Sequence, residues 1–261
     1  MRNTTHAEPA PACLARRHAV AVGLAAVLGY RGTQAQEVMK MNDAGTDTLT
    51  ARQQAIVPIA AWAAAGDMAQ LHHALHQGLD AGLTVSEAKE ILVQLYAYAG
   101  FPRSLNALGE LMKVLEVRQQ RGIQDQPGRA PSRAIPTGEA LLAAGTANQT
   151  TLSGGPVAGP LFDFAPLANE YLRTHLFGDI FERDNLDWPS RELATVGMLS
   201  ALPGVAPQLQ AHMRISMNVG LTAGQLQQLT DVLAARVHAN AAQRARDALA
   251  QHVASVRAEG P

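Results

Sequence analysis

Few side chains in this chain have the type and setting to do acid–base or ligand chemistry. Glu90 lies in residues 86–99, where Ala88, Ile91, Leu92, Leu95 and Ala99 form one stripe at helical steps of about 100°. Val93 and Ala97 face the other way, and a helix apolar on both sides is buried on both. The Glu90 carboxylate there is either partly desolvated, with its pKa pushed up unless paired, or a surface group beside Lys89. Tyr98 stands one turn from Gln94 and two from Glu90. His212 flanks a stripe of Leu209, Met213, Ser216 and Gly220, where it is either a hydrogen-bonded core histidine or a proton carrier near neutral pH. Glu192 follows Arg191 in the first turn of a helix, where a carboxylate also favours the helix dipole. His72 and His76 share a helical face beside His73, but no carboxylate or cysteine with zinc-site spacing accompanies them. A metal is therefore not expected. Gly-rich phosphate loops, nucleophile elbows and dinucleotide fingerprints are absent from the sequence.

The elements that would position these groups read as helices, and they repeat. Gly82-Leu83-Thr84 and Gly220-Leu221-Thr222 recur with the same offset as Gln70-Leu71 and Gln208-Leu209. Each glycine suits a left-handed helix C-terminus. Each threonine opens the next helix with capping-box spacing, Thr84 to Glu87 and Thr222 to Gln225, and Thr50 to Gln53 repeats the device. Two copies of one helical unit, not a solenoid of many short ones, follow. Residues 122–166 between them are rich in Gly, Pro, Ser and Thr and read as a long linker or arm without regular structure over 154–160. Residues 167–181 read as a helix anchored by Phe177 and Phe181, and 226–259 as helical with a break near Asn240.

Composition narrows the class. The chain has 261 residues, 47% hydrophobic and 16% charged, enough to bury a core and too apolar for a disordered protein. Twenty-one Lys and Arg balance twenty-two Asp and Glu, which removes the electrostatic footprint of a nucleic-acid binder. Residues 1–35 differ: Arg16-Arg17 precede an uncharged run from Ala19 to Leu28 and the small-residue site Thr33-Gln34-Ala35. That is the pattern of a secretory signal peptide, with paired arginines that suggest the twin-arginine route. The alternative is a simple N-terminal extension. The run is too short to span a bilayer, so no membrane span is expected after Gln36. Export would make the protein periplasmic or secreted; the alternative is cytoplasmic. The single cysteine, Cys13, falls in this leader, so the remaining chain could do no thiol chemistry.

Residues 90–107, beginning Glu90-Ile-Leu-Val-Gln-Leu-Tyr-Ala-Tyr98 and continuing through Pro102-Arg103 to Asn106, resemble the signature of carboxymuconolactone decarboxylase family proteins. His212-Met-Arg214-Ile-Ser-Met-Asn218-Val-Gly220-Leu is similar to the same family's H-x-R-x-x-x-N-x-G-L segment, and Arg191-Glu192-Leu193 to its R-E-L start. The resemblance implies an all-α, alkylhydroperoxidase D-like fold with two units per chain, 36–121 and 167–261, joined by the linker 122–166. It also implies a homo-oligomer, a trimer or dimer of two-unit chains. In the family's peroxidase branch a Cys-x-x-Cys precedes the matching histidine; Val205 and Gln208 stand there, so a dithiol cycle is unsupported. The other branch implies cofactor-independent decarboxylation of a small carboxylated lactone or organic acid by proton transfer. On that reading His212, Glu192 and Glu90 are catalytic, and Arg103, Asn106, Tyr98, Arg214 and Asn218 bind substrate, since His and Glu carry protons and Arg binds carboxylates bidentately. Ala74 replaces the histidine in the first unit and Gln228 the second-helix acid in the second. Such complementary loss fits one composite site, or decay of both. A non-catalytic ligand-binding or assembly protein of the same fold is the rival reading.

Overall fold

The computed structural model describes residues 47–259, and among them every regular element is helical. The signal-peptide reading and Cys13 lie outside the described residues. Four helices form a first set: α1 (Ala51–Ala65), α2 (Met68–Asp80), α3 (Val85–Gln94) with its one-turn continuation α4 (Tyr96–Ala99), and α5 (Phe101–Gln120). Between the sets come α6 (Gly138–Ser153), α7 (Pro160–Phe164), α8 (Pro166–Tyr171) and a π-helical segment, Leu172–Ile180. The second set is α9 (Trp188–Ala201), α10 (Ala206–Asn218), α11 (Ala223–Arg236) and α12 (Ala239–Glu259). Its members begin at a nearly constant offset from α1, α2, α3 and α5, so the duplicated unit is a four-helix set.

Local chemistry starts and stops these helices where the sequence predicts. The threonine side chains of Thr50, Thr84 and Thr222 each accept from the backbone N–H three residues on, and the partner Gln or Glu bonds back, closing three capping boxes. Gly82 and Gly220 take φ of 90° and 99°, the left-handed region only glycine enters cheaply. α1 and α9 are buried on nearly all sides and cross each other at the centre, which explains why neither shows an apolar stripe. At Gly197 an added Cβ would sit 2.9 Å from the Val57 carbonyl oxygen, so this glycine sets how closely the two sets approach. One large apolar core runs through both sets, from Ile56 and Leu71 to Leu226 and Leu233. A smaller cluster joins Leu152 of α6, Phe177 and Phe181 to Ile215 of α10.

The linker holds a helix that the sequence reading does not place, and two other expectations need correction. Residues 138–153 form α6, an Ala-rich stretch free of proline whose helix propensity prevails until Gly154 ends it at φ 77°. Irregular chain is confined to residues 122–137 and 154–159 around the prolines and glycines. The helix expected over 167–181 widens into π geometry from Leu172, where Gly178 and Gly145 let α6 approach so closely that an added Cβ at Gly145 would lie 1.8 Å from the Arg173 carbonyl oxygen. The helix expected over 86–99 is divided at Leu95 into α3 and the one-turn α4, with Leu95 itself still in helical geometry.

Candidate functional site

Asp187 caps α9 by accepting from the Ser190 N–H, and this places Arg191 and Glu192 in the first turns of a helix buried on both sides. Neighbours in sequence, they point about 100° apart and enter different environments. Glu192 is completely buried, and its Oε2 lies 2.7 Å from Nδ1 of His212 on α10. A carboxylate only accepts, so Nδ1 carries the proton toward Glu192 and Nε2 is the ring atom left to take up or give one. Glu192 Oε1 is buried with no hydrogen-bond partner among the described residues. The edge of the His212 ring meets Tyr98 of α4, with centroids 5.6 Å apart at 77°. Burial and the Glu192 charge push the Tyr98 hydroxyl well above its ordinary pKa, so it stays neutral.

From Tyr98 a chain of polar groups runs between the two sets. The Thr195 hydroxyl lies 3.4 Å from the Tyr98 oxygen and receives Gln94 Nε2 at 2.7 Å. The Gln94 carbonyl oxygen accepts from Arg191 Nη1 at 3.2 Å. Arg191, fully buried, donates Nη2 to Glu90 at 3.0 Å. Glu90 also receives Arg183 Nε at 3.0 Å, Arg183 Nη2 at 2.6 Å and Asn185 Nδ2 at 3.0 Å. Burial alone would raise the Glu90 pKa, but the bonds from Arg183, Asn185 and Arg191 outweigh it and hold the carboxyl below the usual range. Burial lowers the Arg191 pKa, and the Glu90 charge opposes that shift.

The structure therefore brings His212, Glu192 and Tyr98 together, with Glu90 at the far end of the same network. It keeps the other four sequence candidates apart from them. Arg103 donates Nη1 to the Ala64 carbonyl at 2.5 Å and so caps the end of α1. Asn106 is exposed on α5. Arg214 is two residues from His212, about 200° around α10, and lines with Asn218, Gln210 and His252 a cavity of about 580 Å³ between α10 and α12. Asn218 also donates Nδ2 to the Leu152 carbonyl at 2.8 Å and ties α10 to the end of α6. His72 is bonded at 2.7 Å to Glu110, and His76 lies 3.4 Å from the Arg118 guanidinium. Arg191, Arg183, Gln94 and Thr195 are not among the sequence candidates; helical i, i+4 spacing puts Glu90 with Gln94 and Arg191 with Thr195 on shared faces, but carries no signal for Arg183 or for the contact between the two pairs.

Four helices repeated about a central crossing, with a buried carboxylate–imidazole pair at the junction, define an all-α tandem protein. Residues 34–112 and 166–251 each match the model of the carboxymuconolactone decarboxylase family. The chain belongs to this family and carries its unit twice. A comparison with curated proteins gave no match.

Proposed function

We propose that the chain is a cofactor-independent, decarboxylase-like enzyme that acts on a small carboxylated lactone or organic acid, with His212 as the proton carrier. The observation that carries this reading is the 2.7 Å pairing of His212 Nδ1 with a fully buried Glu192. A buried carboxylate fixes the ring's orientation and stabilises the imidazolium, which leaves Nε2 to act. As the substrate's C–C bond breaks and CO₂ departs, the electron pair stays on carbon. The His212 Nε2 proton goes to that carbon, and the ring regains a proton from water. Glu90, already held by two arginines, serves on this reading to position Arg191 and Gln94 and transfers no proton itself. Export through residues 1–35 belongs to the same proposal and would separate the protein from ordinary cytosolic catabolism.

The test is CO₂ release from a panel of small carboxylated lactones. His212→Gln and Glu192→Gln should each lower turnover by about 10²–10⁴ with unchanged far-UV circular dichroism. Turnover equal to the parent in both variants refutes the assignment. One observation favours the non-catalytic rival: Arg103 is bonded to main chain, and Arg183 and Arg191 to Glu90. Of the two arginines expected to bind substrate, Arg103 and Arg214, that leaves Arg214 for a substrate carboxylate, on the far side of α10. Calorimetric binding of the same acids without turnover would support the rival.

A further inference from the structure

The two helical sets can be compared residue by residue, because the offset that carries Gly82 onto Gly220 also carries α2 onto α10 and α5 onto α12. In the first set the chain's own charges close the groove between α2 and α5. Arg118 of α5 is buried there, pairs with Asp80 of α2 and with Asp125 at 2.8 Å each, and lies 3.4 Å from His76. One turn back along α2, His72 bonds Glu110 of α5 at 2.7 Å. The hollow that remains, about 370 Å³, lies against His72, His73 and Glu110, a carboxylate that His72 and Lys113 already engage.

In the second set these closing residues are replaced. Val256 stands for Arg118, Asn218 for Asp80, Gln210 for His72 and Ala248 for Glu110, while Arg214 stands for His76. The groove between α10 and α12 is correspondingly open, as the cavity of about 580 Å³. Neither Asp nor Glu lines it, and among the described residues Arg214 makes no hydrogen bond or ion pair. Pro207, Met217 and Val256 give the same cavity apolar wall. A solvated arginine on a convex helix face needs no partner. Arg214 differs because it faces a concavity from which the buried cation and its helix-borne anion are both missing. The volume falls in the range of small-molecule sites, about 300–1,000 Å³.

We propose that the α10–α12 groove is a binding site for a small organic carboxylate, a molecule with one carboxylate group and a short apolar body. The ligand supplies the anion that Asp80 provides in the other set. Arg214 takes the carboxylate through its planar fork of donors, the Gln210 amide adds a neutral donor, and the apolar body lies against Met217 and Val256. His212 faces nearly the opposite side of α10, so a molecule held on Arg214 is out of reach of the Glu192–His212 pair and is bound without being turned over. The site goes beyond the proposed reaction and stands whether or not His212 carries a proton to substrate.

Titration calorimetry of the full chain with benzoate as the probe, and inorganic phosphate as the comparison, tests this. The parent should bind one benzoate per chain with a Kd of about 1 mM or tighter. Arg214→Gln, at an exposed position that leaves the core intact, should weaken binding by about tenfold or more, because it removes the charge-assisted bonds. Asn218→Asp restores the other set's carboxylate one turn from Arg214 and should weaken binding by a comparable factor, since an internal anion then competes. His212→Gln, across α10, should bind benzoate as the parent does. A parent that takes up no benzoate at about 10 mM overturns the inference, as does an Arg214→Gln protein that binds as well as the parent. Loss of binding in His212→Gln overturns it too, because the ligand then sits at the Glu192–His212 pair. Phosphate bound as tightly as benzoate refutes an organic carboxylate as the occupant.

Discussion

Replacing Glu90 by Gln removes a single charge and almost no volume, and the consequences can be worked from its surroundings. Arg191 is fully buried and donates to Glu90, Gln94 and the Arg183 carbonyl; among the described residues Glu90 is the one carboxylate bonded to it, with Asp187 acting only through its more distant charge. Removing one member of a buried pair costs about 3–5 kcal/mol, because the desolvated charge left behind has no counter-ion. For a body of this size each kcal/mol moves the midpoint of thermal unfolding by about 2–4 °C, so a drop of roughly 6–20 °C is expected. The pH dependence has a definite sign. The folded Glu90 carboxyl titrates below its unfolded value of 4.5. Its contribution is therefore complete above that value and is lost as pH falls through the folded pKa. Urea unfolding followed by circular dichroism should show the full gap between parent and Glu90→Gln at pH 7, and a narrowing gap below about pH 4.5. Adding Arg191→Met to Glu90→Gln should recover part of the loss, since it removes the stranded charge. A Glu90→Gln protein within about 1 kcal/mol of the parent at pH 7, or a gap that acid does not narrow, would refute the account.

Other substitutions follow from the same geometry. Thr50→Ala, Thr84→Ala and Thr222→Ala each remove a capping box and should cost about 1 kcal/mol in urea unfolding; Thr50 and Thr84 should couple through the Arg52–Glu87 pair that joins their helix starts. Gly145→Ala puts a Cβ against the Arg173 carbonyl and should separate α6 from the π-helical segment, with a loss of about 3 kcal/mol or more and faster amide exchange confined to α6. Gly197→Ala should cost about 1–3 kcal/mol, because the α1–α9 crossing has to widen around the Val57 carbonyl.

What could be read from the sequence divides along the range of the interactions. The capping boxes and the left-handed glycines depend on neighbours three or four residues away, so Thr84 with Glu87 and Gly220 before Thr222 were legible as spacing. The duplication was legible because it repeats those same local signals. α6 was not, because the Gly and Pro on either side mask the Ala-rich, proline-free run in the middle of residues 122–166. The desolvation of Glu90 was legible from two apolar faces. Its partners were not: Arg183, Asn185 and Arg191 approach from about a hundred residues away, through a packing that periodicity does not encode. The division of α10 was within reach of helical arithmetic, since His212 and Arg214 are two residues apart and so face nearly opposite ways.

The duplicated unit shows how the two halves have come to differ at the same junction. Gln228 on α11 is the counterpart of Glu90 on α3, and each reaches across to the segment that leads into the other set's first helix. Gln228 Oε1 accepts from the Leu49 N–H at 2.6 Å, just before α1. Glu90 accepts from Arg183 and Asn185, just before α9, and from Arg191 in its first turn. A neutral amide is enough at the first junction because a single main-chain N–H meets it. At the second, two guanidinium groups converge, one of them without access to water, and only an anion can satisfy them. The acid of the first unit is therefore committed to holding the units together. The counterpart of His212 in the first unit is Ala74, so that half has no pair at the same place; its own carboxylate–imidazole contact, His72 with Glu110, joins α2 to α5 instead, with His72 partly exposed. The two units thus share a junction in which Glu90 of the first holds the two guanidinium groups and the second supplies the Glu192–His212 pair.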